Sequence, residues 1–375
     1  MPQKTDKKTI CLNMIVKNES AIIRDTLENI IAHIPLDYYV ISDTGSDDNT
    51  ADIIKQFFDE KGIQGEIHHD EWVNFAHNRN SALQHAQGKT DYVLIFDADD
   101  RFEGTFELPE ELTSDRYYFR MANSVTGANV YFRTLMFRND GSFYWRGVLH
   151  EFVEQRKKTV VEQKIFGDYY VISGRFGARS NNPQKYLQDA LTLEKAFYSP
   201  EDEDLKDRYA FYTAQSYRDA DMPEKAIEWY RKRANLGGWY EEVYYSLLQI
   251  ALLKIELNAP LDEVQNLLLS AYEYRPQRAE SLYHLARQLR LHDKIKLAYI
   301  YATVAANIPL NKDILFVDHS VYEWKAKDEL AVSAYWVGNY QLCHDLCVEL
   351  LFNPAVPEQN KKRFLDNLML AKKHL

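Results

Sequence analysis

Hydrophobic and polar positions in the first hundred residues follow two alternating spacings. Short segments with the length of strands lie at 9–16, 38–42, 65–71 and 91–97. Between them, apolar residues recur every three or four positions, as on an amphipathic helix, in 17–34, 51–62 and 78–88. Because strands separated by single helices pair mostly in parallel, the pattern predicts an α/β domain with a mostly parallel sheet and helices on both faces.

The pattern changes twice after residue 100. Aromatic-rich segments, typical of half-buried strands, follow at 116–123, 130–138, 142–154 and 168–176. From about residue 183 nearly every segment is helical, and helix–turn–helix pairs are predicted at 207–239, 241–276, 279–309 and 328–354. We therefore expect an α/β domain over 1–180 and an all-α helical-repeat solenoid over 181–375.

Composition narrows the class of protein. The chain has 375 residues and a formal net charge of −11, so we expect no nucleic-acid partner, because binding phosphates needs a basic surface. No run approaches the roughly 18 apolar residues of a membrane span. Cys11, Cys343 and Cys347 cannot all pair internally, which favours a reducing compartment. These features predict a soluble, cytoplasmic protein.

Polar loops follow three of the predicted strands. We name them the KNES loop (17–20), the DTGSDDNT loop (43–50) and the DADD turn (97–100). In open α/β sheets, ligands bind outside the carboxyl ends of the strands. The three loops therefore predict a single pocket.

The DADD turn allows two interpretations. Asp97 and Asp99 could supply two oxygen ligands for magnesium or manganese, which complete their shells with water and substrate phosphates. Alternatively, Asp99 and Asp100 cap a turn, a common use of aspartate after a strand.

Four further residues are candidates for the same pocket. Asp43 lies at a strand end, where a carboxylate can accept a hydrogen bond from a base or a ribose hydroxyl. Arg79, in the first turn of a helix, either pairs with a surface carboxylate or binds a diphosphate. His150 and Glu151 would point to opposite faces if their strand is regular, and a single histidine is either structural or a metal ligand.

Three segments, in this order and at these spacings, resemble the family-two glycosyltransferases of GT-A fold: MIVKNES, ISDTGSDDNT and AHNRNSALQHAQGKTDYVLIFDADD. The resemblance covers about residues 8–180. RGVLHE followed by a helical tail resembles the branch of that family whose catalytic domain carries tetratricopeptide-type (TPR) repeats, including peptide and protein glycosyltransferases of bacteria and phages. Together, the two resemblances imply a Rossmann-like GT-A domain followed by a TPR-like domain.

The resemblance also implies a role for each candidate residue. Nucleotide-sugar binding is expected of Val16, Asn18, Glu19, Asp43, Arg79 and Asp97. Within that set, Asp43 would contact the base and Asp97 the ribose or a metal-bound water. Asp99 and His150 would hold Mn²⁺ or Mg²⁺, and Glu151 is the candidate general base.

The expected function is that of a metal-dependent, inverting glycosyltransferase, a hexosyltransferase with a UDP-sugar as donor. Its repeats would recruit a peptide, protein or glycan acceptor, or mediate dimerisation as a homo-oligomer. The alternative is a non-catalytic repeat scaffold with a degenerate nucleotide-sugar-binding domain. Such a domain would have no physical reason to keep a costly cluster of like charges. A sugar nucleotidyltransferase would need a glycine-rich phosphate loop, and CLNMIVKNES has no glycine.

Overall fold

The chain divides into two compact units. The computed structural model describes residues 7–122, 131–174 and 182–375. The compact units are Met1–Ala196 and Phe197–Leu375. The domain boundary predicted after residue 180 falls among residues that are not described.

The first unit contains strands and helices in alternation. Its described strands are β1 Ile10–Val16, β2 Tyr38–Asp43, β3 Gln64–His69, β4 Tyr92–Ile95, β5 Asp100–Gly104, β6 Arg116–Ala122, β7 Tyr131–Arg138, β8 Phe143–Arg146, β9 Phe152–Gln155, β10 Glu162–Lys164 and β11 Tyr169–Ser173. Its helices are α1 Ile23–His33, α2 Thr50–Lys61, α3 Phe75–Ala86 and α4 Lys185–Phe197. The elements predicted in the first hundred residues are therefore present, whereas β5 and β10 were not predicted.

Most of these strands form one mixed sheet. Its order is β3-β2-β1-β4-β7-β6-β11-β5, and β10 also pairs with β6. The strands β3, β2, β1 and β4 are parallel neighbours, whereas β7 runs antiparallel to both β4 and β6. The α/β fold class is confirmed, and the parallel arrangement holds for the part of the sheet that the spacing pattern predicted.

The segment 142–154 is not the single strand that its pattern predicts. It forms an antiparallel hairpin in which β8 pairs with β9. The residues between them include Gly147 with φ +93° and His150 with φ +53°, both in the left-handed region that reverses the chain. The expectation that His150 and Glu151 point to opposite faces of a regular strand is therefore wrong, because both lie in the turn.

Strand β1 is buried on both faces of the sheet. Its Leu12 and Met14 belong to an apolar cluster with Leu27 of α1 and Phe57 of α2. Cys11, the residue before Leu12 in the alternation, packs in a second cluster on the other face. Alternate residues of a strand point to opposite faces, so a strand that is apolar at nearly every position is buried on both sides.

The second unit is all helical. Its helices are α5 Lys206–Asp219, α6 Pro223–Leu236, α7 Tyr240–Glu256, α8 Leu261–Tyr274, α9 Glu280–Leu291, α10 Ile295–Asn307, α11 Ala326–Trp336, α12 Tyr340–Phe352 and α13 Glu358–Lys372. Each helix packs on the next along the chain, which is the arrangement of a helical-repeat array. The predicted repeat architecture is confirmed, and α13 follows the four predicted pairs. No described helix is long and apolar enough to cross a membrane.

A buried ionic network fixes the long connection between α10 and α11. Arg278, whose side chain is fully buried, donates from Nε to both carboxylate oxygens of Glu280 at 3.0 Å. Its two Nη atoms donate to the backbone oxygens of Leu315 and Phe316 at 3.3 Å. Because a buried charge is stable only when it is paired, these contacts make the network a structural element of the repeat unit.

Candidate functional site

The three polar loops meet at one edge of the sheet. In the parallel register, Val16 at the end of β1 lies beside Asp43 at the end of β2, and Asp43 lies beside His69 at the end of β3. On the other side of β1, Asn13 pairs with Ile95, the last residue of β4. The KNES loop, the DTGSDDNT loop and the DADD turn therefore leave the sheet at the same edge, as the sequence predicts.

Hydrogen bonds hold the KNES loop against the DTGSDDNT loop. The Asn18 amide donates to Ser46 Oγ at 3.0 Å, and the Asp47 amide donates to Asn18 Oδ1 at 2.9 Å. The Glu19 amide donates to Thr50 Oγ1 at 2.8 Å. Asn18 has φ +57°, a left-handed conformation that asparagine tolerates better than most residues. The two loops thus form one preorganised wall of the site.

Asp43 is almost fully buried and closes its own loop. Its Oδ1 accepts the amides of Gly45 at 3.0 Å and Ser46 at 2.7 Å. Gly45 has φ +99°, which only glycine adopts without strain. One oxygen of Asp43 is therefore engaged by the backbone of the DTGSDDNT loop.

The DADD residues do form a turn. The Asp100 amide donates to the Asp97 carbonyl at 3.1 Å. Thr26 of α1 donates its hydroxyl to the Ala98 carbonyl at 2.6 Å, so the helix holds the turn from outside. These hydrogen bonds engage the backbone groups of the turn and not its carboxylates, so the turn is compatible with ligand binding.

Arg79 joins the DADD turn to the hairpin turn. Its side chain, only 6% exposed, donates from Nη2 to Asp97 Oδ1 at 2.5 Å and from Nε to Glu151 Oε1 at 2.7 Å. The guanidinium also lies 4.9 Å from the ring centroid of Trp145. Burial alone would lower the pKa of Arg79, but the two carboxylates outweigh burial and raise it. Arg79 is thus a buried, permanently charged clamp and not one half of a surface ion pair.

Arg133 of β7 is a site residue that the sequence did not single out. Its Nη1 and Nη2 lie 3.3 and 3.4 Å from Asp97 Oδ2. Burial would raise the pKa of Asp97, but Arg79 and Arg133 outweigh burial and lower it, so this carboxylate stays ionised. Strand β7 carries two arginines that the sequence does not distinguish. Arg133 pairs with Asp97, whereas Arg138 pairs with Asp115, away from the DADD turn.

The carboxyl group of Asp100 is buried at the start of β5. It is 1% exposed, and neither carboxylate oxygen has a partner among the described residues. Burial, followed by the charge of Asp97, raises the pKa of Asp100 to about 8, although Arg133 opposes the shift. Burying such a group costs about 1–3 kcal/mol when its hydrogen bonds are not replaced. In native structures, buried polar groups without a partner are few, and they are explained by a catalytic role, by strain or by a bound water or ion.

Helix α3 fixes the hairpin turn beside the DADD turn. Asn80 donates from Nδ2 to the Trp145 carbonyl at 2.9 Å, and the Trp145 amide donates back to Asn80 Oδ1 at 2.8 Å. The Phe75 amide donates to the Val148 carbonyl at 3.3 Å. These bonds explain how Glu151 reaches Arg79, which lies 72 positions earlier in the chain. His150, in the same turn, is exposed.

A cavity of about 520 Å³ lies beside the three loops. Its lining residues are Ile15, Val16, Lys17, Asn18, Glu19, Thr44, Trp72, Val73, Asn74, Phe75, Val148, Leu149, Asn182, Gln188, Asp189 and Thr192. Three predicted nucleotide-sugar residues, Val16, Asn18 and Glu19, are among them, and the other predicted site residues are not. The volume falls within the range of small-molecule sites.

The residues around the DADD turn fit a metal ion shared with a substrate. No group of three histidine, cysteine, aspartate or glutamate side chains in the described part of the chain could hold a metal by itself. Magnesium, however, is usually bound through one or two carboxylates together with substrate phosphates. Asp99 provides an oxygen donor of that kind, and it is followed in the chain by Asp100, whose carboxylate oxygens have no hydrogen-bonding partner among the described residues. The donor set therefore suits an ion that arrives with a diphosphate and does not form a cage of protein ligands.

Comparison with known protein families gives one match, within the first unit. Residues 11–112 match the family model described as glycosyl transferase family 2. This segment includes the KNES loop, the DTGSDDNT loop and the DADD turn, and its match supports glycosyl transfer as the chemistry of the site. No curated protein matches the chain.

Solved structures with similar folds are distant. MamA has 12% identity and a TM-score of 0.35, covering 50% of this chain and 92% of its own. A thermophilic TPR protein of Thermus thermophilus has 14% identity and a TM-score of 0.33, covering 49% and 91%. TarS of S. aureus has 14% identity and a TM-score of 0.34, covering 71% and 53%. None of these similarities is close enough to indicate a function.

Proposed function

We propose that the protein is a metal-dependent, inverting glycosyltransferase. It would transfer a hexosyl group from a nucleotide-diphosphate sugar, with a UDP-sugar as the expected donor, to a peptide, protein or glycan acceptor. The observation that carries this proposal is the DADD turn itself, where Asp97 is held by two arginines beside the buried Asp100. This turn lies in the segment that matches glycosyl transferase family 2.

The donor would bind along the edge where the parallel strands end. Val16, Asn18 and Glu19 line the cavity and would contact the nucleoside, and Asp43 would contact the base. The hydrogen bonds between the two loops keep this wall rigid, so little conformational entropy is lost on binding. Asp97 would contact the ribose or a metal-bound water, and Arg79 would contact the donor from its position between Asp97 and Glu151.

Asp99 and His150 are the residues that would hold Mn²⁺ or Mg²⁺. Such an ion, when bound, neutralises the negative charge that develops on a departing diphosphate. Asp99 is suited to this role because it lies in the turn next to the Asp97 carboxylate, whose own oxygens are already paired with arginines.

Glu151 would act as the general base. Its Oε1 accepts a hydrogen bond from Arg79, which fixes the direction of the carboxylate. The acceptor group attacks the anomeric carbon from the face opposite the diphosphate, its proton passes to Glu151, and the diphosphate leaves with the electron pair of the broken bond. A single displacement of this kind inverts the anomeric configuration.

The repeat unit would recruit the acceptor or mediate dimerisation. Trp239 and Tyr240, at the start of α7, are 40% and 47% exposed. The guanidinium of Arg275 lies 4.1 Å from the ring centroid of Tyr240. Exposed aromatic side chains are enriched at protein interaction sites, which supports a peptide or protein acceptor.

Calorimetric titration with UDP- and GDP-sugars, in the presence and absence of Mn²⁺, tests the proposal. We expect the wild-type protein to bind one donor in a metal-dependent manner and Asp99→Ala to lose that dependence while keeping its thermal stability. Absence of binding to every donor would refute the enzyme assignment and favour the scaffold alternative.

A further inference from the structure

We propose that Arg133 is a further substrate-binding residue, which grips the diphosphate of the donor. This inference rests on the proposed function. Arg133 lies on β7, outside residues 11–112 that match the family model, and its guanidinium faces Asp97 of the DADD turn. It would therefore bind the donor from the antiparallel side of the sheet.

The contacts of Arg133 with Asp97 are longer than the contact of Arg79 with Asp97. Its two Nη atoms approach a single oxygen, Asp97 Oδ2, at 3.3 and 3.4 Å, whereas Arg79 reaches the other oxygen at 2.5 Å. Asp97 is the one carboxylate that Arg133 reaches in an ion pair within the described residues. A guanidinium carries five N–H donors, and the contacts of Arg133 with the described residues use two of them.

Accessibility also distinguishes the two arginines. The side chain of Arg133 is 30% exposed and that of Arg79 is 6% exposed. Arg79 is held by Asp97, by Glu151 and by the face of Trp145, so moving it would break three interactions. Arg133 can turn towards a ligand at a much smaller cost, because among the described residues it would give up only two long contacts.

The exchange of partners leaves no buried charge unpaired. If Arg133 leaves Asp97 for a phosphate, Asp97 keeps its short ion pair with Arg79. Removing one partner from a buried pair is expensive when the other is left alone, and that penalty does not arise here. The oxygen Oδ2 of Asp97 becomes available for a ribose hydroxyl or a metal-bound water at the same time.

A diphosphate is the ligand chemistry that fits this guanidinium. Planar N–H forks bind phosphate oxygens through two parallel hydrogen bonds, and these charge-assisted bonds are about twice as strong as neutral ones. Burial would lower the pKa of Arg133, but Asp97, followed by Asp100, lies close enough to outweigh burial and raise it. A cation between two acidic groups can admit a diphosphate beside them, where an acidic pocket alone would repel it.

The test compares Arg133→Gln with Arg138→Gln. Arg138 lies on the same strand, is equally exposed at 30%, and pairs with Asp115 away from the DADD turn, so it is a matched control. UDP, UMP and uridine are titrated into each protein with Mn²⁺ present, or the guanosine series is used if UDP does not bind the wild type. Loss of a phosphate contact weakens the binding of UDP but not of uridine, whereas loss of a structural contact weakens the binding of both.

We expect Arg133→Gln to weaken UDP binding by about 10–100-fold and to leave uridine binding unchanged. Arg138→Gln should bind UDP as the wild type does, and Arg133→Lys should restore part of the loss. Equal UDP affinity for Arg133→Gln and the wild type, or an equal loss for UDP and uridine, overturns the inference and leaves the proposed function intact. A wild type that binds neither UDP nor GDP overturns both.

Discussion

Gly174, directly after β11, provides a steric test of the DADD turn. A Cβ atom added to Gly174 would lie 2.0 Å from the Asp99 carbonyl oxygen and 3.2 Å from Asp99 Cβ. Non-bonded heavy atoms prefer separations of about 3.5–4.0 Å, so the strand end or the turn would have to move by about 1–2 Å. Because the obstacle is backbone, no side-chain rotation can relieve it.

The expected consequences of Gly174→Ala are a moderate loss of stability and a large loss of activity. Forcing an extra methyl group into a packed region costs about 1–3 kcal/mol. The displacement would fall on the proposed metal ligand Asp99, and a misplacement of about 1 Å at a reacting centre costs about 100-fold in rate. Donor binding should weaken because Ser173, the preceding residue, pairs with Asp100 in the sheet.

Urea unfolding and calorimetric donor titration measure the two effects. Gly167→Ala is the control, because its Cβ would meet the ring of Tyr169, at 3.2 and 3.5 Å, and the Thr105 carbonyl oxygen at an ordinary contact distance of 3.9 Å, and because Gly167 is exposed. We expect the control to bind donor as the wild type does. Normal stability together with normal donor affinity in Gly174→Ala would refute the close packing of Gly174 on Asp99.

Other variants test the site and the repeat unit separately. Glu151→Gln should bind nucleotide sugar but transfer no sugar in a product assay; normal transfer would show that another residue is the base. In chelator, Asp100→Asn should gain stability over the wild type as pH rises from about 4 to about 8, because over this range the carboxyl group of Asp100 is ionised in the unfolded chain but still protonated in the folded protein. A thermal-unfolding difference that is independent of pH would contradict this. Arg278→Ala should lower the free energy of unfolding by about 3–5 kcal/mol, since Glu280 would remain buried and unpaired; urea unfolding with an unchanged midpoint would rule that out.

Local patterns were sufficient for the regular elements of the first hundred residues. Helix α1 follows from apolar residues at helical spacing, and β1 from a continuous apolar run, because each pattern reports which face of its own element is buried. The hairpin of β8 and β9 was misjudged as one strand, because the reversal depends on positive φ angles at Gly147 and His150. Strand β5 has no apolar alternation that separates it from a loop, and it exists through pairing with β11, about 70 residues later.

The sequence by itself determined the fold class, the repeat architecture and the edge of the sheet that carries the site, because strand and helix periodicity fix which chain ends lie together. It also marked Asp97, Asp99 and Arg79 as candidates. Only the tertiary structure decided their partners: Arg79 with Glu151, 72 positions away, and Asp97 with Arg133, 36 positions away. Ion pairs between distant segments depend on strand order and side-chain direction, which no local spacing encodes, and so does the burial that leaves the Asp100 carboxyl without a partner among the described residues.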